Sequence, residues 1–325
     1  MNIKQIQKKY NTEAKCLSFL EKLRWGKTVT CTYCSSTNTK RLKSEPQRHH
    51  CNTCQRHFSV KVGTIFESTR YPLTDWFLLI GMMLNAKRGI SAKQLQRNMG
   101  CTYKTAWYTA MRVRSAMIDD CRYALQNIVE MDEAYVGGKP RKGNKPVDNE
   151  PNISTVTNKR GRGTAKTPVV GIVERNGKVV LKVIEKLTSR NLLAMLKENV
   201  DTKNAIVVTD EFKSYKAFDK QVEHLVINHK KQFSKGVVHT NTIEGFWSIV
   251  KNSIKGQYVA LSKKYLPLYL VQAQYIYNSR NFTGNLFEEY LKQAVSDEKE
   301  MLYYKPVRSV KSIVYPKKRK ESVCK

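Results

Sequence analysis

Nowhere does the 325-residue chain contain a run of about 18 apolar residues, which excludes a transmembrane helix. Its opening residues, MNIKQIQKKYNTEAK, lack the apolar stretch of a secretory leader, so a cytoplasmic location is expected. Acidic side chains are scarce: 27 Asp and Glu stand against 58 Lys and Arg, a formal net charge of +31. The excess runs through the whole chain and is not confined to one tail. It calls for a polyanionic partner, with nucleic acid well ahead of a membrane surface. No internal repeat is present. Apolar residues, by contrast, are plentiful: 41% hydrophobic and 10% aromatic content excludes a wholly disordered basic protein. The length fits about two or three domains.

Of the eight cysteines, Cys16, Cys101, Cys121 and Cys324 are scattered. The other four form the pairs Cys31-x2-Cys34 and Cys51-x2-Cys54, sixteen residues apart. Without a leader, such pairs imply metal binding in a reducing compartment. Two residues between thiolates let a tight turn aim both sulfurs at one ion, and two such turns complete a tetrahedron. Structural Zn²⁺ is therefore expected on Cys31, Cys34, Cys51 and Cys54. The polar, basic segment between the pairs has no core of its own and needs the metal to fold. His49, His50 and His57 lie nearby, but four thiolates close the shell, which leaves these histidines for the surface or for DNA.

Residues 1–28 read as a helical lead, and 29–62 as strand and turn around the cysteines. From Tyr71 the period becomes helical. TDWFLLIGMMLNAKR places Asp75 near its start and Lys87-Arg88 at its end, as the helix dipole favours. ISAKQLQRNMG adds a short helix with Ser91 as N-cap and Gly100 as its stop, and residues 102–116 form another after a tight turn. The pair fits a helix-turn-helix. Its second helix is expected to present Tyr103, Lys104, Thr105, Tyr108, Arg112 and Arg114 outward, where they would meet phosphates and base edges.

Beyond residue 127 strands take over, and Asn176-Gly177 marks a hairpin between two of them. The run NAIVVTDEF is a short buried strand ending in an acid. Helical periods return at 241–255 and at 265–281. The order β-β-β-α-β-α-β-α is a mixed α/β layout in which an antiparallel meander feeds parallel strands. Residues 139–166, between the first two strands, are rich in Gly, Pro, Lys and Arg. A loop of that length and composition is expected to be mobile until it binds something. PKKRK at 316–320 belongs to a basic tail.

Three acids stand out in this half. Asp132 lies mid-strand in IVEMDEAYV, where a carboxylate is costly unless solvated or metal-bound. Asp210 closes AIVVTD, and an acid at a strand's C-terminal end often faces a crevice. Glu244 sits early in the helix of HTNTIEGFWSIVK. Lys251, seven residues on, shares its face. Two divalent ions about 4 Å apart activate an attacking oxygen and stabilise a leaving one on phosphorus. Hard carboxylate oxygens suit Mg²⁺ or Mn²⁺. Singly, each acid is an ordinary structural or surface residue, and Glu130, Glu133 and Glu211 are adjacent decoys, of which Glu130 shares the strand face of Asp132. The joint pattern is far more specific.

The zinc ribbon followed by MDEAYVGG, GRGTAKTPVVGIVER, VVTDEFKSY and HTNTIEGFWSIVKNSIKG resembles the ISXO-like insertion-sequence transposases, over roughly residues 15–283. The resemblance implies a ribonuclease-H-like catalytic core of the DDE class. Asp132 and Asp210 would be its first two acids and Glu244 the third, with Asn241 of the HTN segment as rival or helper. Lys251 would be the trailing lysine. The loop 139–166, with Arg160 and Arg162, would be an insertion that grips DNA.

The expected organisation is a helical lead and zinc ribbon over 1–66, a helix-turn-helix domain over 67–122, a mixed-sheet α/β catalytic domain over 123–290 and a basic tail over 291–325. Such a protein would bind terminal inverted repeats, cleave the ends with two Mg²⁺ or Mn²⁺ ions and transfer the 3′-OH strands into target DNA at the bacterial nucleoid. Two ends must be synapsed, so a homodimer or larger assembly is implied. The alternatives are a catalytically inactive DNA-binding regulator derived from a transposase, and a structure-specific nuclease that cuts without strand transfer.

Overall fold

The computed structural model describes residues 1–118, 124–137, 166–227, 239–259 and 261–296. Arg160, Arg162, nearly all of the 139–166 loop and the PKKRK tail lie outside the described residues. The described chain forms two compact units, 1–118 with 271–296 and 124–259 with 261–270.

The first unit opens with α1 (Ile3–Lys9), begun by a capping box between Asn2 and Gln5, and α2 (Glu13–Trp25), capped by Thr12. A small antiparallel sheet follows, β1 (Thr39–Arg41), β2 (His49–Cys51) and β3 (His57–Phe58), paired in that order. Helix α3 (Leu73–Asn85) buries Leu73, Trp76, Phe77, Ile80 and Met83 against Leu17, Leu20 and Phe66. It ends before Lys87 and Arg88, which fall in a turn closed by the Gly89 N–H on Ala86 O at 2.8 Å.

Helices α4 (Ala92–Met99) and α5 (Tyr103–Ala116) form the expected pair. The Ser91 hydroxyl accepts from Gln94 N at 3.2 Å and the Thr102 hydroxyl from Thr105 N at 3.1 Å, so each helix starts on a side-chain cap. Between them Gly100 adopts φ +62°, a left-handed conformation that glycine enters without the Cβ penalty.

In the second unit β4 (Leu125–Val136), β5 (Thr167–Glu174) and β6 (Val179–Val183) make an antiparallel meander. The β5–β6 turn carries Asn176 at φ +60°, as its Asn-Gly dipeptide predicts. Helix α6 (Ser189–Asn199) leads to β7 (Val200–Asp210), which pairs parallel with β4. A 3₁₀ turn (Lys213–Phe218) leads to β8 (Glu223–Ile227), parallel to β7. The sheet order β6-β5-β4-β7-β8, antiparallel on one side of β4 and parallel on the other, is that of a ribonuclease-H-like core. One face buries Val129, Met131, Ile172 and Val207 under Leu192, Met195, Leu196, Tyr215 and Phe218. Helix α7 (Asn241–Ser253) reaches β4 and β5, buries Ile243, Phe246, Trp247 and Val250, and runs on into a π-helical turn, Ile254–Tyr258.

Helix α8 (Leu266–Asn278) carries the chain from the second unit into the first, where α9 (Leu286–Ala294) buries Phe287, Tyr290 and Leu291 in the N-terminal core. The Tyr290 hydroxyl donates to Val113 O at 3.0 Å. By packing, residues 271–296 therefore belong with the N-terminal helices, although sequence order joins them to the sheet.

Candidate active site

The acids reach one cleft because strand register and helix phase agree. On β4, alternation turns Val129 and Met131 into the α6-side core and Glu130 and Asp132 to the opposite face. Glu130 is level with Val208 on the parallel neighbour β7. Two residues further along these strands come Asp132 and Asp210. Across the antiparallel pairing Asp132 faces Gly171. A Cβ at Gly171 would lie 2.8 Å from Trp247 Cζ2 and 3.0 Å from Ile243 Cδ1, so glycine here lets α7 approach β5 closely. Glu244 then projects from the first turn of α7, and its Oε1 accepts from the Thr240 hydroxyl at 2.8 Å.

The result is a cleft of about 570 Å³ lined by Asp132, Asp210, Glu244 and Lys251, together with Thr240, Trp247, Ser248, Asn252 and Lys255. Four of the five sequence candidates from the core converge there. Asn241, the rival third residue, is exposed at the first position of α7 and does not line the cleft; its N–H is directed at His239 Nδ1 at 3.4 Å. The decoy acids go elsewhere. Glu133 accepts from the Tyr215 hydroxyl at 2.9 Å, Glu211 is exposed, and Glu130 is fully buried on Arg175 at 2.7 Å. Ser248, Asn252 and Lys255 were legible in principle, since positions 244, 248, 251, 252 and 255 recur at helical spacing.

Burial pushes the Asp132 carboxyl up to about 7, and the negative charges of Glu133, Asp210 and Glu244 add to the rise. A buried carboxyl whose ionisation is made costly by neighbouring carboxylates is a group that a hard divalent cation would relieve. The donor chemistry of these side chains suits Mg²⁺ or Mn²⁺, which Asp132, Asp210 and Glu244 would hold.

The four cysteines fit zinc on geometry. Their sulfurs all lie within 4.8 Å of one another, with Cys31–Cys54 and Cys34–Cys51 each at 3.6 Å. A tetrahedron with Zn–S bonds of about 2.3 Å has edges of about 3.8 Å. The two knuckles repeat one local structure. Ser35 and Gln55, each following its second cysteine, have φ +59° and +58°, and their N–H groups donate to Cys31 O and Cys51 O, each at 2.9 Å. The backbone N–H of Cys54, with that of Thr53, holds the Cys51 thiol down at about 6, toward the thiolate that a metal needs.

Not all histidines there face outward. His49 is 3% exposed, shares the inner face of β2 with Cys51, stacks on Phe58 and meets Glu21 Oε1 at 3.1 Å. The expectation of a surface or DNA-facing role fails for it because the two-residue period of β2 turns it inward. His57 is exposed and His50 half-buried.

The helix-turn-helix side chains also divide. Tyr103 and Lys104 are exposed, and Thr105 and Tyr108 half-buried. Arg112 is half-buried and donates to Glu67 O at 2.8 Å, its guanidinium 5.7 Å from the Trp76 ring and 5.6 Å from that of Tyr108. Arg114 does not face outward: it is 1% exposed, and its Nε donates to Gln272 Oε1 at 2.8 Å.

Comparison with known proteins agrees with this architecture. Residues 11–57 match the transposase zinc-ribbon domain and residues 124–278 the ISXO2-like transposase domain. An uncharacterized protein in the transposable element ISH50 of Halobacterium salinarum is 28% identical over 273 residues, covering 81% of this chain and 90% of that protein. A pre-cleavage Mos1 transpososome is similar over 66% of this chain and 76% of its own, at 13% identity and a TM-score of 0.25. The mariner Mos1 paired end complex with Mg gives the same coverage and identity at a TM-score of 0.26. The sheet topology, not these two likenesses, carries the fold. The chain thus carries a transposase zinc-ribbon domain ahead of an ISXO2-like transposase domain.

Proposed function

We propose that this chain is a working DNA transposase that cleaves the ends of its element by metal-dependent hydrolysis and joins the freed 3′-OH strands to target DNA. One observation carries the reading: Asp132, Asp210 and Glu244, delivered by two strands and a helix, line a single cleft with Lys251. Two Mg²⁺ or Mn²⁺ ions, when bound, supply Lewis acidity at the attacking and leaving oxygens of the phosphodiester. Asp132, Asp210 and Glu244 hold them. Lys251 and Lys255 attract and orient the phosphates of the strand being cut, and Ser248 and Asn252 offer hydrogen bonds along the same helix face.

The zinc ribbon and helix-turn-helix recognise the terminal inverted repeats, with Tyr103, Lys104, Thr105 and Tyr108 directed at DNA. Arg160 and Arg162 add phosphate contacts from the basic loop. The +31 charge supplies the general attraction. Synapsis of two ends calls for a homodimer or larger assembly, acting at the nucleoid in the cytoplasm.

The test is cleavage and joining. The purified protein is incubated with Mg²⁺, labelled DNA carrying the ends that flank its gene, and a supercoiled target. Cleaved ends and joined product are expected, lost in Glu244→Gln and kept in Asn241→Ala. Specific end binding without cleavage in Mg²⁺ or Mn²⁺ would instead establish an inactive regulator.

A further inference from the structure

Glu130 is the one fully buried carboxylate among the described residues, two positions before Asp132 on the same strand face. Its Oε1 accepts from Arg175 Nε at 2.7 Å and from the Thr242 hydroxyl at 2.9 Å. Its Oε2 accepts from the Ile243 backbone N–H at 2.9 Å. The Arg175 Nη2 donates in turn to His239 O at 2.8 Å. One acid–base pair on β4 and the β5–β6 turn therefore gathers the backbone and side chains of 239–243, the residues directly before Glu244.

Helix α7 needs that help. Its N-cap residue, Thr240, makes no side-chain bond to the helix backbone, and its hydroxyl is committed to Glu244. The first-turn N–H of Ile243 is satisfied instead by Glu130, a carboxylate from another element, placed where the helix dipole favours negative charge. A local cap would start the helix anywhere in space; a cap supplied by β4 starts it at a set distance from β4. Stability alone does not explain a buried ion pair, because apolar residues of similar volume often serve as well.

We propose that Glu130 and Arg175 are positioning residues that clamp the first turn of α7 to β4 and so set the separation of Glu244 from Asp132. The inference rests on the reading of Glu244 as a catalytic acid. A misplacement of about 1 Å in such a group costs about 100-fold in rate. Loss of a group that orients a metal ligand typically weakens metal binding about 10- to 100-fold.

The test replaces the pair by apolar residues of similar length, Glu130→Met with Arg175→Met, in the full-length zinc-loaded protein. Four quantities are read: melting temperature, affinity for the element's ends, cleavage rate, and Mn²⁺ binding followed by the paramagnetic resonance of the free ion. A folded variant with wild-type end affinity is expected, its cleavage and Mn²⁺ affinity each down about 10-fold or more. A folded variant that cleaves and binds Mn²⁺ like wild type overturns the clamp. Thr242→Val, which deletes one bond to Glu130 and keeps the shape, provides a second arm should the double variant not fold. Mn²⁺ binding weakened several-fold supports the clamp, and unchanged binding overturns it. Glu244→Gln run alongside separates the two readings: if it cleaves normally the catalytic assignment fails, and if it alone is inactive only the clamp fails.

Discussion

Asp132 is the residue whose chemistry and stability pull in opposite directions, and this is measurable without DNA. Its carboxyl rises from an ordinary 3.8 to about 7 in the fold, first through burial and then through the charges of Glu133, Asp210 and Glu244. Between those values the folded protein holds a proton that the unfolded chain has released. Stability therefore falls as pH rises from about 4 to about 7 and stays low above. Three units at about 1.4 kcal/mol each set an upper bound of about 4 kcal/mol. Solvent in the open cleft reduces this to about 2 kcal/mol.

Asp132→Asn removes the titration, so the variant should outlast wild type at pH 8 and match it near pH 4. At about 2–4 °C per kcal/mol for a domain of this size, the gain at pH 8 is on the order of 5 °C, read by calorimetry on zinc-loaded protein without added Mg²⁺. Adding Mn²⁺ should reverse the order. At about 100 times the dissociation constant, binding stabilises wild type by about 2.7 kcal/mol and leaves the variant nearly unchanged. Parallel melting curves for the two proteins from pH 4 to pH 8 would refute the account, since no burial or like-charge cost would then rest on Asp132.

Four further outcomes follow from the structure. Cys51→Ser should abolish stoichiometric zinc, measured by elemental analysis, and weaken end recognition while the core still binds Mn²⁺; a full zinc complement would rule out the four-thiolate site. Gly171→Ala should cost about 1–3 kcal/mol by overpacking against Trp247 and Ile243, and slow cleavage as α7 is pushed from β5; an unshifted melting temperature would contradict the packing. Lys104→Ala should lower the salt dependence of end binding by about one ion without changing stability. Arg112→Ala should instead lower the melting temperature, because it deletes the bond to Glu67 O and the stacking on Trp76.

Where the sequence was informative, one local rule settled the matter. Paired cysteines at fixed spacing specify a tetrahedron, Ser91 and Gly100 bracket a helix, and Asn176-Gly177 turns a hairpin, each without help from distant chain. Arg114 shows where that stops. It lies four residues after buried Ala110 and three before buried Met117, so helical spacing puts it in the core, while its charge argues for the surface. The conflict is resolved by Gln272, a partner 158 positions away that no local pattern reveals. Arg112 is held by carbonyls of Thr64 and Glu67, 48 and 45 positions away, again beyond any local pattern. His49 is a different case. Strand alternation with Cys51 places it inside, whereas a complete four-thiolate shell says only that it is no zinc ligand.

The pair Glu130 and Asp132 sets the limit for reading catalysis from a strand. Both are acids on one face of β4, two residues apart, and alternation treats them alike. Their surroundings do not. Glu130 meets a guanidinium, a hydroxyl and a helix N–H, so its charge is matched and its geometry held. The charges that act on Asp132 are those of other carboxylates, so its ionised form is costly until a cation arrives. On the proposed reading, the matched acid serves as an anchor and the mismatched one as a ligand. Which becomes which depends on Arg175 and the first turn of α7, residues 45 and 113 positions away from Glu130, and the tertiary fold is what brings them there.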